Sequence, residues 1–181
     1  MLGLGGMTSR QASDEASLSE AVSPTCPAEL PEWLGGPLNR LADGKEGITY
    51  KLQPEPESVT EARHFATTTL RKWGLTGLAD DVALVVSELV TNALRHTLPP
   101  HPGQGPPGMI RLHLLAAPTP YLLAGVFDTG TAAPRRREPD FVAETGRGLH
   151  IVESFTRRWG WTPLVDGKIV WALFGPPLPC Q

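Results

Sequence analysis

Asp80-Asp81-Val82-Ala83-Leu84-Val85-Val86-Ser87-Glu88-Leu89-Val90-Thr91-Asn92-Ala93-Leu94-Arg95-His96-Thr97 reads as one amphipathic helix. At about 100° per residue, Val82, Val85, Val86, Leu89, Val90 and Ala93 form a broad apolar stripe. Glu88 and Asn92 fall one turn apart at the border of that stripe, on the same flank as Asp81. The flank of a buried helix is where a carboxylate can face a cleft instead of open water. A Glu that accepts a proton, one turn from an Asn that ligates a hard cation, suits Mg-dependent phosphoryl transfer. Taken alone, the pair is more often an ordinary surface pair on a core helix, since i,i+4 pairs are common.

Working outward, Tyr121-Leu122-Leu123-Ala124-Gly125-Val126-Phe127 reads as a buried strand that ends in Asp128-Thr129-Gly130. Gly146 and Gly148 follow, just before a helical pattern that runs to about Trp159. Glycines ahead of a helix let backbone N–H groups approach an anion, and the helix N-terminus favours negative charge. A helix reached through a flexible loop has the same local spelling.

The order of these three elements resembles the GHKL ATPase superfamily, which includes gyrase and the histidine kinases. Within it, the chain is most similar to the anti-sigma-factor serine/threonine protein kinases and their single-domain actinobacterial relatives. Val86-Ser87-Glu88-Leu89-Val90-Thr91-Asn92-Ala93, Glu144-Thr145-Gly146-Arg147-Gly148-Leu149 and Gly167-Lys168-Ile169-Val170-Trp171-Ala172 carry the likeness, together with the preceding helix from Val59 to Leu75. It spans roughly residues 47–175. The fold it implies is a Bergerat-type two-layer α/β sandwich, with a mixed, mostly antiparallel sheet covered by helices on one face.

The resemblance also implies roles, residue by residue. Glu88 matches the acid that activates the attacking hydroxyl. Asn92 matches the Mg²⁺ ligand, and Asp128 matches the strand-end acid that accepts a hydrogen bond from the adenine amino group. Gly130 would let backbone lie near the base. Gly146 and Gly148 would line the phosphates of ATP, with Leu149 starting the helix behind them and Arg147 touching either a phosphate or a partner. Residues 131–145 would be a lid over ATP, and its Arg135-Arg136-Arg137 run reads either as a cationic clamp or as a solvated loop.

Two positions depart from the family pattern. Ala132 stands where relatives carry a second glycine; if that position needs positive φ, the exchange costs about 1 kcal/mol, roughly a fivefold loss in affinity. Ile169 stands where relatives often carry Thr, whose hydroxyl is read as helping to hold the adenine site. Its loss removes a hydrogen bond worth about 0.5–1.5 kcal/mol. The expected function is therefore an ATP- and Mg²⁺-dependent kinase that phosphorylates a small anti-anti-sigma-like (STAS-type) protein and controls a sigma factor by partner switching. The alternative is a non-catalytic, nucleotide-dependent binding module. A histidine-kinase catalytic domain is disfavoured, because no helical hairpin with a phospho-accepting His precedes the domain.

Composition agrees with one domain and excludes several classes. A chain of 181 residues supports one real core, and a net charge of −3 gives no reason to expect nucleic acid or an anionic membrane as partner. Cys26 and Cys180 lie far apart with no metal-type spacing, so a reduced, cytoplasmic protein is expected. The start, Met1 to Met7, reads as neither signal peptide nor membrane span, and Met7 is an alternative first residue. Residues 1–46, with seven acidic and three basic side chains and scattered Pro, read as a disordered or loosely packed tail. Within them, Leu30-Pro31-Glu32-Trp33-Leu34-Gly35-Gly36-Pro37-Leu38 is either a docking patch or a linker with a stray aromatic. The ATP-binding domain is expected over 47–175 and a short tail over 176–181; dimerisation is implied by the resemblance alone.

The remaining elements follow from pattern. Ile48–Leu52, residues 109–116 and residues 120–127 read as strands, and Leu98–Gly108 as a Pro/Gly loop. Asp166-Gly167 reads as the turn of a hairpin between Trp161–Val165 and Lys168–Phe174. His96, His101 and His113 do not suit a zinc site, since one sits in the Pro/Gly loop and one on an alternating strand.

Overall fold

A computed structural model of the chain describes residues 32–44, 46–97, 108–117, 120–130, 132–134 and 148–177. Among them the order is α1 (Glu32–Asp43), β1 (Ile48–Leu52), α2 (Ser58–Lys72), α3 (Ala79–Thr97), β2 (Ile110–Ala116), β3 (Leu122–Asp128), α4 (Gly148–Phe155), β4 (Arg158–Leu164) and β5 (Gly167–Phe174). A single 3₁₀ turn, Thr76–Leu78, joins α2 to α3. The strands form one sheet in the order β1-β2-β3-β5-β4. Every pairing in it is antiparallel, so the mixed sheet expected from the sequence is antiparallel throughout its described strands.

The apolar stripe of α3 is buried as its spacing predicts: Val82, Val85, Val86 and Val90 are wholly inaccessible, and Leu89 and Ala93 nearly so. Asp80 and Asp81 in the first turn and Arg95 and His96 in the last complement the helix dipole. Ser87 and Thr91 donate their hydroxyls to the carbonyls of Ala83 and Ser87, both at 2.7 Å, which satisfies two polar groups on an otherwise apolar helix. With α2 and α4, this helix packs on one face of the sheet. There Ile110, Leu112 and Leu114 of β2, Leu122, Ala124 and Val126 of β3, and Val170 and Ala172 of β5 meet it.

The other face is also covered. From Glu32 onward, the segment read as either a docking patch or a linker forms α1 and docks on the domain, although Gly35, Gly36 and Pro37 lie inside it. Leu34, Leu38 and Leu41 are buried against Leu115, Leu123, Ile169, Trp171 and Leu173, and Trp33 lies 4.9 Å from the ring of Tyr121. A Cβ on Gly125 would stand 2.7 Å from Leu41 Cδ2, so α1 lies close over β3 at this glycine. Residues 1–31 and 178–181, with both cysteines, lie outside the described residues.

Two boundaries differ from the sequence reading. Helix α4 stops at Phe155 and not near Trp159, because Trp159, in β4, pairs with Ala172 of β5 and is 6% exposed. Thr156 Oγ1 donates to Val152 O at 2.7 Å, and Arg157 N–H already bonds Leu173 O at 2.8 Å. The hairpin turn also falls one residue early, on Val165 and Asp166, and Gly167 opens β5 opposite Leu164. Gly167 has φ +154°, and a Cβ there would collide with the carbonyl of Asp128, so glycine is required twice over.

His113, on the α1 side of β2, is 4% exposed and shares a 2.9 Å hydrogen bond with Thr49 Oγ1. Burial first, and the neighbouring Arg111 guanidinium second, lower its pKa from 6.5 to about 4. The folded state therefore holds the imidazole neutral, while the unfolded chain takes up the proton below pH 6.5. Stability from this group is complete above pH 6.5 and falls as the pH drops toward 4. The limiting slope is about 1.4 kcal/mol per pH unit. Urea denaturation across this range should show a shallower slope for His113→Gln than for the wild type.

Candidate functional site

Strand alternation decides what shares a space with Glu88 and Asn92. On β3 and β5 the even-numbered side chains face α2, α3 and α4, and the odd-numbered ones face α1. Asp128 and Lys168 are paired across these strands and therefore lie in the same layer as Glu88 and Asn92.

Glu88 and Asn92 are half-buried on the border of the α3 stripe. The first residue of α4 comes directly against them: a Cβ on Gly148 would stand 2.7 Å from Glu88 Oε2 and 3.6 Å from Asn92 Nδ2. The glycine thus lets the N-terminal turn of α4 come close to a carboxylate and a carboxamide. Behind it, Leu149 and Val152 are buried and fix α4 against α3.

Asp128 closes the other end. Its Oδ1 accepts from Lys168 Nζ at 2.7 Å and from Gly130 N–H at 2.8 Å, and Lys168 Nζ also donates to Gly130 O at 2.8 Å. Both side chains of this ion pair are 2% exposed. A buried pair stands only with extra hydrogen bonds, and removing one partner costs about 3–5 kcal/mol. Gly130 sits between Lys168 and the end of α3, where a Cβ would be 2.9 Å from His96 O and 3.1 Å from Lys168 Nζ. Close by, Thr97 is 8% exposed and its Oγ1 has no hydrogen-bond partner among the described residues. A Cβ on Gly108 would collide with Thr97 and stand 2.8 Å from Thr129 Oγ1.

The groups thus follow one another along α3: Glu88 and Gly148, then Asn92, then His96 with Gly130 and Asp128. Eight residues of helix separate the two ends, about 12 Å at 1.5 Å per residue. That is the scale of a nucleoside triphosphate laid along the helix. An acceptor carboxylate, an unpartnered hydroxyl, a carboxamide and a glycine-opened helix N-terminus suit an adenine nucleotide with Mg²⁺.

Of the residues singled out from the sequence, Glu88, Asn92, Asp128, Gly130, Gly148 and Leu149 come together along this line. Gly146, Arg147 and Arg135-Arg136-Arg137 lie outside the described residues, as does His101. No three His, Cys, Asp or Glu side chains gather into a metal cage among the described residues. Ala132 is exposed.

Ile169 requires a correction. It pairs with Phe127 and is buried with Leu34, Leu38 and Leu41 beneath α1, on the face of the sheet away from Asp128. A hydroxyl at this position would meet α1 and not a nucleotide, so Ile169 takes nothing from the site. The residue that does reach it is Lys168, which the sequence reading passed over. Its signal was available: a lysine opening the apolar run Ile169–Phe174 has to find a buried partner or break the strand.

A family model described as "Histidine kinase-like ATPase domain" matches residues 52–173. Among solved structures, the histidine kinase domain from Erythrobacter litoralis EL346 blue-light activated histidine kinase is 25% identical, with a TM-score of 0.40. That match covers 54% of this chain and 44% of the other, so the chain spans less than half of its length. The curated proteins contain no match.

Proposed function

Since the chain belongs to the histidine kinase-like ATPase domain family, we propose that it binds Mg-ATP along α3 and phosphorylates a serine or threonine of a small STAS-type antagonist protein. In this reading it is a cytoplasmic, homodimeric anti-sigma-factor kinase that releases or captures a sigma factor by partner switching. The subtype rests on the wording of residues 86–93, 144–149 and 167–172. The single observation that carries the phosphoryl-transfer reading is the meeting of Glu88 and Asn92 at Gly148.

The side chains divide the work by chemistry. Asp128 would accept from the base amino group. Asn92 would hold Mg²⁺ through its amide oxygen, which suits a hard cation that keeps most of its waters. When bound, Mg²⁺ neutralises charge on the phosphates. Glu88 would orient the attacking hydroxyl and take its proton late, since loose phosphoryl-transfer transition states need mostly positioning.

Calorimetric titration with ATP, with and without Mg²⁺, tests the site. Wild-type protein should bind in a Mg-dependent manner. Asp128→Asn should weaken binding by roughly tenfold to a hundredfold, the worth of one hydrogen bond to a charged group. Failure of the wild-type protein to bind ATP at millimolar concentration would end the nucleotide reading and leave a nucleotide-independent interaction module.

A further inference from the structure

We propose that Lys168 is a positioning residue that makes the site select a purine with a 6-amino group over one with a 6-keto group. The inference rests on the nucleotide-binding reading above and extends it to a residue outside that reading.

Lys168 Nζ and Gly130 N–H both bind the same oxygen of Asp128, at 2.7 and 2.8 Å. The carboxylate is thereby held in one orientation, and Oδ2 is the oxygen through which it would meet a base. As half of an ion pair, it only accepts hydrogen bonds. An adenine amino group donates to such an acceptor, whereas the 6-keto oxygen of hypoxanthine or guanine would set acceptor against acceptor. The ammonium itself is kept from the base, because it is spent on Asp128 Oδ1 and Gly130 O.

Lys168 therefore controls the discrimination without touching the base. If the ammonium is removed, the buried carboxylate loses its counter-charge and one of the two contacts that fix its orientation. A carboxylate free to turn no longer sets one acceptor oxygen against the purine 6-position. The expected signature is a loss of ATP affinity with little change in ITP affinity, which a general loosening of the fold does not produce.

The test is calorimetric titration of the full chain with ATP and with ITP, each with Mg²⁺. Wild-type protein should prefer ATP by roughly tenfold to a hundredfold. Lys168→Met should bring the two affinities to within about threefold of each other, and Lys168→Arg, which keeps the charge, should retain the preference. Lys168→Gln, which keeps a donor for Gly130 O without the charge, serves if the Met variant does not fold, and it should lose the preference as well. An unchanged ATP:ITP ratio in the neutral variants would overturn the positioning role while leaving the nucleotide site intact. A wild-type protein that binds ATP and ITP equally would also overturn it. One that binds neither would overturn the nucleotide reading itself.

Discussion

Glu88→Ala should lose phosphoryl transfer by a factor on the order of 10²–10⁴, the usual worth of a positioned general base, while ATP affinity changes by no more than a few fold. The separation follows from where Glu88 sits. Its carboxylate lies close to Gly148, and the groups that would grip base and metal, Asp128 and Asn92, lie one turn or more along α3. Removing an acid near the first turn of α4 should cost stability of only about 0.3–1 kcal/mol. Labelled phosphate transferred from ATP to the proposed STAS-type antagonist, measured beside an ATP titration, checks both halves. Undiminished transfer in Glu88→Ala would remove this residue from the mechanism. Parallel loss of binding and transfer would make it a structural support of the pocket.

Gly148→Val should weaken Mg-ATP binding by about a hundredfold. The first added carbon already stands 2.7 Å from Glu88 Oε2 and 3.6 Å from Asn92 Nδ2, and the two branches of valine add further bulk at the point proposed for phosphate. A hundredfold loss corresponds to about 2.7 kcal/mol. The strain falls at the end of a helix, so thermal melting should shift by much less than the affinity does. Unaltered ATP affinity in this variant would show that the phosphates pass elsewhere.

The parts of the molecule legible in the sequence are those governed by local rules. Period 3.6 placed the buried face of α3, and short apolar runs bounded by turn residues placed β1, β2 and β3 to within two residues. The turn before β5 was one residue out, because Asp166-Gly167 spells a two-residue turn while the chain uses glycine for its tight passage over Asp128. Helix α4 was overextended, because Trp159 and Val152 fit an apolar helical stripe equally well until strand pairing claims the tryptophan. Helix α1 was hidden by Gly35-Gly36-Pro37, which lowers intrinsic propensity; its stability comes from the sheet beneath it. Lys168 was hidden by the general rule that lysines face water. Ile169 was misread because a family position was carried over without asking which face of the strand it occupies.

The sheet is a partition with unequal tenants. Even positions of β3 and β5 border the candidate site, and odd positions border α1. Neighbours in sequence therefore answer to different demands: Lys168 to ligand chemistry, Ile169 to the fit of a helix on the far side. Variation can accumulate on the α1 face without passing through the layer where Glu88, Asn92 and Asp128 converge. The one-residue alternation of a strand gives this small domain two surfaces that are free to diverge separately.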